Sequence, residues 1–167
     1  MFIRTKKIKG NEYAYLSENR WMKRKQKVRQ ETKKYLGRVY RFRKTAEAKL
    51  ECNFDNVDIG EIIRNAVSLE LKKHGFQHRK VWENSGCFVD LKSNKVYGAN
   101  GRGIAIAMNN GFLADYTLRR LFDYKGIKNS YDLAKKLVES GLDVPKDVFV
   151  EIYRKLFKSF DVEDEIL

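Results

Sequence analysis

Residues 2–37 read FIRTKKIKGNEYAYLSENRWMKRKQKVRQETKKYLG. The first eight of these mix β-branched and aromatic residues with basic ones and end at Gly10-Asn11, a turn dipeptide suited to φ > 0. Residues 12–16 then alternate, Tyr13 and Tyr15 against Ala14 and Leu16, which predicts a hairpin. A basic loop over 19–26 carries Arg20, Trp21, Lys23, Arg24 and Lys25. Residues 27–35 alternate again, with Val28, Gln30 and Thr32 on one face and Arg29, Glu31 and Lys33 on the other, before Leu36-Gly37. A three-stranded antiparallel sheet is therefore expected. Such a layer has two faces, and one must be covered for stability, so the rest of the chain is expected to supply the cover and leave the other face free for a ligand.

Charge divides the chain at the same place. Residues 1–44 hold 16 Lys+Arg against 3 acids, a balance of +13, whereas residues 45–167 hold 19 of each. The predicted organisation is a basic β-sheet module over 1–44 and a neutral α+β domain over 45–167, giving an α+β chain that ends in three helices. Charge so concentrated repels itself in the folded state unless a polyanion neutralises it, and DNA or RNA is the common partner. A solvated basic arm with no dedicated partner is the alternative. Arg4, Lys6, Arg20, Lys23, Arg24 and Lys25 are candidate phosphate contacts, continued by Lys27, Arg29, Lys33 and Arg38. Among the interleaved aromatics, Trp21 is the candidate for stacking on bases. Tyr13, Tyr15, Tyr35, Tyr40 and Phe42 suit either stacking on unpaired bases or packing within the sheet.

The order Phe2-Ile3-Arg4, then 9–16 (KGNEYAYL), a basic loop, and 28–37 (VRQETKKYLG) resembles the N-terminal module of DDE-type insertion-sequence transposases. That module reads as a Tyr-rich hairpin, a loop and an Arg-Gln-x-Thr-x-x-x-Leu-Gly-like third strand, and it precedes the catalytic domain. The resemblance covers about the first 40 residues and implies DNA engagement. Beyond it the chain departs from that family: it is too short for a ribonuclease-H-like domain and lacks three carboxylates at plausible strand ends, so transposition is not expected. The last two thirds, including 88–92 (FVDLK) and 110–121 (NGFLADYTLRRL), is similar to uncharacterised archaeal proteins, a likeness that implies no function.

Hydrophobic content of 43% with 34% charged residues suits a soluble globular protein. No apolar run approaches the roughly 20 residues that cross a bilayer, and the start lacks a signal peptide's apolar stretch, so a cytoplasmic protein without membrane association is expected. Two cysteines, Cys52 and Cys87, make no disulfide framework.

After a linker over 43–56, in which Ala46, Ala48 and Leu50 suit a helical turn, Ile59, Ile62, Ile63, Ala66 and Leu69 recur at helical spacing. With Asp58 as N-cap and Gly75 as a stop, they predict a helix over 59–74. Strands are predicted at 80–83, 87–91, 95–97 and 104–108. Helices are predicted at 112–124, at 131–139 capped by Ser130, and at 146–160 opened by Asp143 and Pro145. The acidic tail over 161–167 is expected to be solvated, with folding back onto the basic module as the alternative.

Signals for chemistry are weak. Cys52, His74, His78 and Cys87 are the candidate zinc ligands, but no Cys-x-x-Cys pair occurs, and a buried cysteine with surface histidines is expected instead; no metal or cofactor is predicted. Residues 98–103 (GANGRG) lack the Lys-Ser/Thr of a phosphate loop and precede a predicted strand, so they read as a flexible connection in which Arg102 is placed to touch a nucleic-acid backbone. Asp90-Leu91-Lys92 at a strand end is similar to the carboxylate-x-Lys of metal-dependent restriction-like nucleases, with only Glu83 nearby as a second carboxylate. Asp115 is expected to pair with Arg119, and Arg120 to extend the basic surface. The sequence thus favours non-catalytic binding of duplex DNA, then RNA or a ribosome-associated role, then a nuclease. A protein partner recruited through 45–167 is the remaining partner class.

Overall fold

A computed structural model describes residues 1–50 and 54–161. Strand β1 (Phe2–Ile8) turns into β2 (Asn11–Met22) through Lys9 and Gly10, at φ 48° and 80°. Two consecutive positive φ values match the twist of a tight hairpin, and the turn sits one residue before the dipeptide that signalled it. Strand β2 continues six residues beyond Leu16, and β3 spans Lys27–Arg41. Residues 19–22, expected in a loop, are therefore strand; only the 3-10 turn Lys23–Lys25 and Gln26, at φ 45°, connect β2 to β3.

The sheet is larger than the three antiparallel strands expected. Past Gly37, β3 runs parallel to β8 (Ile104–Met108), which pairs with β9 (Gly111–Leu113), so five strands lie in the order β1-β2-β3-β8-β9. Leu36 and Val39 are buried, so the apolar signal extends beyond Leu36-Gly37, where the strand was expected to end. Gly37 permits the join. It has φ +123°, and a Cβ there would lie 2.4 Å from the Gly103 carbonyl oxygen. Only glycine lets the β3 backbone approach the start of β8 so closely.

The chain is α+β, and its described residues form four helices, α1 (Ile59–Lys73), α2 (Asp115–Phe122), α3 (Ser130–Glu139) and α4 (Lys146–Asp161). A second, antiparallel sheet holds β4 (Gln77–His78), β5 (Trp82–Asn84), β6 (Cys87–Asp90) and β7 (Lys95–Gly98). Helix α1 begins as the sequence predicts, with the Asp58 carboxylate accepting from the Gly60 N–H at 2.9 Å, and chain reversal follows at Gly75, φ +81°. Helix α3 is capped by Asn129, which accepts from the Asp132 N–H at 2.9 Å, rather than by Ser130. No helical turn forms over 46–50; the Thr45 and Ala46 N–H groups donate to the Lys73 carbonyl instead. Cys52 and the tail over 162–167 lie outside the described residues.

Helix α2 starts three residues later than the apolar stripe suggested, because Gly111–Leu113 is strand. Asn109, at φ 48°, turns β8 back into β9, where Leu113 pairs with Ile106 and Phe112 with Ala107. A Cβ at Gly111 would meet the Val138 carbonyl at 2.0 Å, so glycine lets this turn nest against the end of α3.

Two apolar clusters hold these layers together. The main one gathers Ile62, Ile63, Val67 and Leu71 of α1 with Ile104, Ile106 and Met108 of β8, Leu118 and Leu121 of α2, and Val148, Ile152 and Leu156 of α4. The smaller joins Ala14, Leu16, Leu36 and Val39 to Ala105, Ala107 and Ala114. Strand β8 is buried on both faces, and cover for the basic sheet comes from later residues, Phe112 and Tyr116 included. Burial of each larger aliphatic side chain stabilises by about 1.5–3 kcal/mol.

Candidate nucleic-acid interface

Strand β1 stops pairing at Phe2↔Ser17, whereas β2 and β3 remain paired out to Met22↔Lys27. Beyond Ser17 the sheet narrows to a two-stranded ribbon. At about 3.4 Å per residue, Glu18 to Met22 reaches roughly 17 Å. Every residue from Lys23 to Gln30 is exposed. Residues 18–31 carry six basic side chains against two acidic ones.

Alternation sorts these side chains between two faces. One face shows Asn19 opposite Gln30 and Trp21 opposite Val28; the other shows Glu18 opposite Glu31, Arg20 opposite Arg29 and Met22 opposite Lys27. At the ribbon's root, the Lys33 ammonium sits 2.8 Å from Glu31 and 3.6 Å from Glu18. Its hydrogen bond holds the Glu31 carboxyl below the usual carboxylate range. Farther out the compensation weakens to the attraction that Arg20 and Arg29 feel for the Glu31 carboxyl. Among the described residues, no ion pair engages Arg20, Lys23, Arg24, Lys25, Lys27 or Arg29. Like charges directly opposite on one face, as at Arg20 and Arg29, oppose strand pairing.

The Trp21 face continues onto the sheet. Arg4, Tyr15 and Tyr35 form one cross-strand row, and Lys6, Tyr13 and Arg38 form the next. The Tyr35 ring lies 5.4 Å from Tyr15 and 6.3 Å from Tyr13, and the Lys6 ammonium lies 5.2 Å from the Tyr15 ring centre. Arg4 donates to the Gln30 side-chain oxygen, and Arg38 to that of Asn11 at 2.7 Å. Removal from water, then the two neighbouring tyrosines, raise the Tyr35 phenol above its ordinary value, although 53% of the residue stays accessible.

The predicted contact residues fall into two groups. Arg20, Trp21, Lys23, Arg24 and Arg29 line one concavity near the ribbon tip, and Lys25 and Lys27 join Arg29 in the adjacent one. Arg4, Lys6 and Arg38 lie at the ribbon's root, while Lys33 is turned toward the two glutamates. Arg102, expected to touch a backbone from a flexible connection, shares a cavity of about 380 Å³ with Lys34, Tyr35, Asp115 and Tyr116. Parallel pairing of β3 with β8 brings it there, and no local sequence signal reports that pairing. No family model matches the chain, and no curated protein or solved structure matches it.

Other flagged side chains are engaged elsewhere. The Asp90 carboxylate accepts from the Lys92 N–H at 2.9 Å, the Ser93 N–H at 3.3 Å and the Ser93 hydroxyl at 2.7 Å, which hold it below its ordinary pKa. Glu83 pairs with Arg79 at 3.2 Å. His78 is exposed beside Trp82, whereas His74, expected at the surface, is only 2% exposed. Its Nδ1 lies 2.8 Å from the Glu70 carbonyl, and the buried Glu70 carboxylate accepts from Asn109 at 2.8 Å and faces Lys73 at 3.5 Å. This network fastens the end of α1 to the β8–β9 turn. Cys87 is buried, and burial pushes its thiol up to about 11. Among the described residues, no group of three His, Cys, Asp or Glu side chains is placed to share a metal, and no helix is long and apolar enough to cross a membrane. Asp115 pairs with Arg119 at 3.9 Å, while Arg120 is held 2.7 Å from Glu139.

Proposed function

We propose that this protein is a non-catalytic nucleic-acid-binding protein that engages duplex DNA through the β2–β3 ribbon and the adjoining face of its sheet. The carrying observation is a set of six cations, none in an ion pair among the described residues, on a ribbon whose residues from Lys23 to Gln30 are all exposed. Two paired strands fit a major groove about 12 Å wide, where Lys and Arg reach phosphates and a few side chains reach base edges. The likeness of residues 2–37 to the transposase DNA-engaging module supports the same partner. In this reading residues 45–167 act as the base that aims the ribbon and as the surface open to a protein partner, and the protein works in the cytoplasm.

RNA is the second reading, favoured by the tyrosine cluster beside Lys6 and Arg4, where unpaired bases stack well. A salt titration of binding to matched duplex DNA, single-stranded DNA and structured RNA separates the two. With six phosphate contacts the logarithm of affinity falls with a slope near −5, so about 10³-fold is lost between 50 and 200 mM salt. Arg24→Glu with Lys25→Glu weakens binding strongly while far-ultraviolet circular dichroism is preserved. Unchanged affinity in that double variant removes the loop from the interface, and a flat salt response removes the nucleic-acid reading.

A further inference from the structure

Trp21 and Val28 are each 58% exposed, pair directly across the ribbon and belong to neither apolar cluster. A large aromatic and a β-branched side chain thus sit together in water, one residue pair short of the Lys23–Lys25 turn. Facing each other across the strands they steady the ribbon itself, but they add nothing to either core. Their face is also distinct: Arg20 and Arg29 project from the opposite side of the same strands.

A duplex groove has a floor of stacked base pairs and two raised rims of phosphates. A ribbon lying with Trp21 and Val28 toward the floor leaves the Arg20 and Arg29 guanidiniums, on long stems, at rim height, and sets Lys23, Arg24 and Lys25 along the backbone ahead. A bilayer is a poorer fit, because it presents anionic headgroups and apolar interior along one direction, which asks for cations around the apolar tip rather than behind it. We propose that Trp21 and Val28 form an apolar wedge that enters a base step of duplex DNA and partly unstacks it. The inference rests on the duplex reading above and deepens it: arginines on one face hold phosphates while the opposite face deforms the helix. Unstacking a step costs free energy, repaid by the contacts that the deformed duplex allows.

The test compares the full-length protein on an intact duplex and on the same duplex carrying a single-nucleotide gap, where unstacking is already partly done. Wild type binds the gapped duplex at least about tenfold more tightly than the intact one, and end-to-end fluorescence transfer reports a bend on the intact duplex. Trp21→Ala abolishes the preference and the bend but keeps the salt slope, and Trp21→Phe restores most of the preference. Both side chains are exposed, so circular dichroism of the variants matches wild type. If wild type and Trp21→Ala discriminate equally between the two duplexes, the wedge is overturned while duplex binding stands. If wild type binds neither duplex, or binds structured RNA or phosphatidylserine vesicles more tightly, both the wedge and the duplex reading fall.

Discussion

Arg29→Gln is expected to raise stability and lower affinity at once. Arg29 faces Arg20 directly across β2 and β3, and no carboxylate lies within ion-pair distance of either among the described residues. Cross-strand pairs of this kind contribute about 0.2–1 kcal/mol, with the sign set by the charges. Both side chains are exposed and screened, and Arg29 also attracts the Glu31 carboxyl, so the low end applies and the net relief is about 0.2 kcal/mol. For a chain of this size that raises the melting temperature by less than about 1 °C. Binding moves the other way. Loss of one phosphate contact reduces the salt slope by about 0.9, which amounts to about eightfold weaker binding at 0.1 M salt. Thermal unfolding by circular dichroism measures the first effect, and fluorescence anisotropy of a labelled duplex across a salt series measures the second. A side chain retained for the fold shows the opposite pattern: if melting temperature and affinity fall together, or the salt slope does not change, Arg29 is not held in reserve for an anion.

Three further outcomes test the scaffold. Gly37→Ala places a Cβ within 2.6 Å of the Ile104 Cα at a φ unfavourable to alanine, and should cost roughly 2–4 kcal/mol, read as a lower midpoint in urea. The Arg41 guanidinium hydrogen-bonds Glu12 and holds its carboxyl below the ordinary 4.5. Because the folded value lies below the unfolded one, this pair's contribution is complete above about pH 5 and disappears as pH falls through the folded value; the melting-temperature gap between wild type and Glu12→Gln should therefore close in acid. Finally, in a Cys52→Ser background, Cys87 should resist a thiol reagent at pH 8 until the protein unfolds, since its buried thiol is pushed up to about 11. Rapid labelling of the native protein would contradict the burial.

Much of the local structure is legible in the sequence because it is locally encoded. The hairpin alternation of Tyr13 and Tyr15, the Asp58 cap and the stripe of Ile59, Ile62 and Ile63 each report on neighbours within a turn or a strand step. The cationic character of residues 18–31 is equally plain. Misreadings arise where distant parts meet. Strand β3 finds its parallel partner more than sixty residues later through a glycine whose role appears only when Gly103 lies against it. Phe112 and Leu113 sit in an apolar run that periodicity alone assigns to helix, and only pairing with Ala107 and Ile106 makes it strand. His74 looks like a solvated residue at a helix end, yet it is buried with its ring nitrogen against the Glu70 carbonyl. The ribbon was missed as an element because a run of charges reads as loop, yet β-pairing there continues without an apolar face to announce it.

Strand β3 runs from the exposed tip to its place beside the buried β8 as one element of fifteen residues, but its register against β2 shifts twice on the way, at Lys33 and at Leu36. A bulge bends the strand that carries it and tightens its twist, so each shift turns the direction in which the ribbon leaves the sheet. The ribbon's aim is therefore decided at its root, where those two shifts lie, and not by the charged residues at its tip.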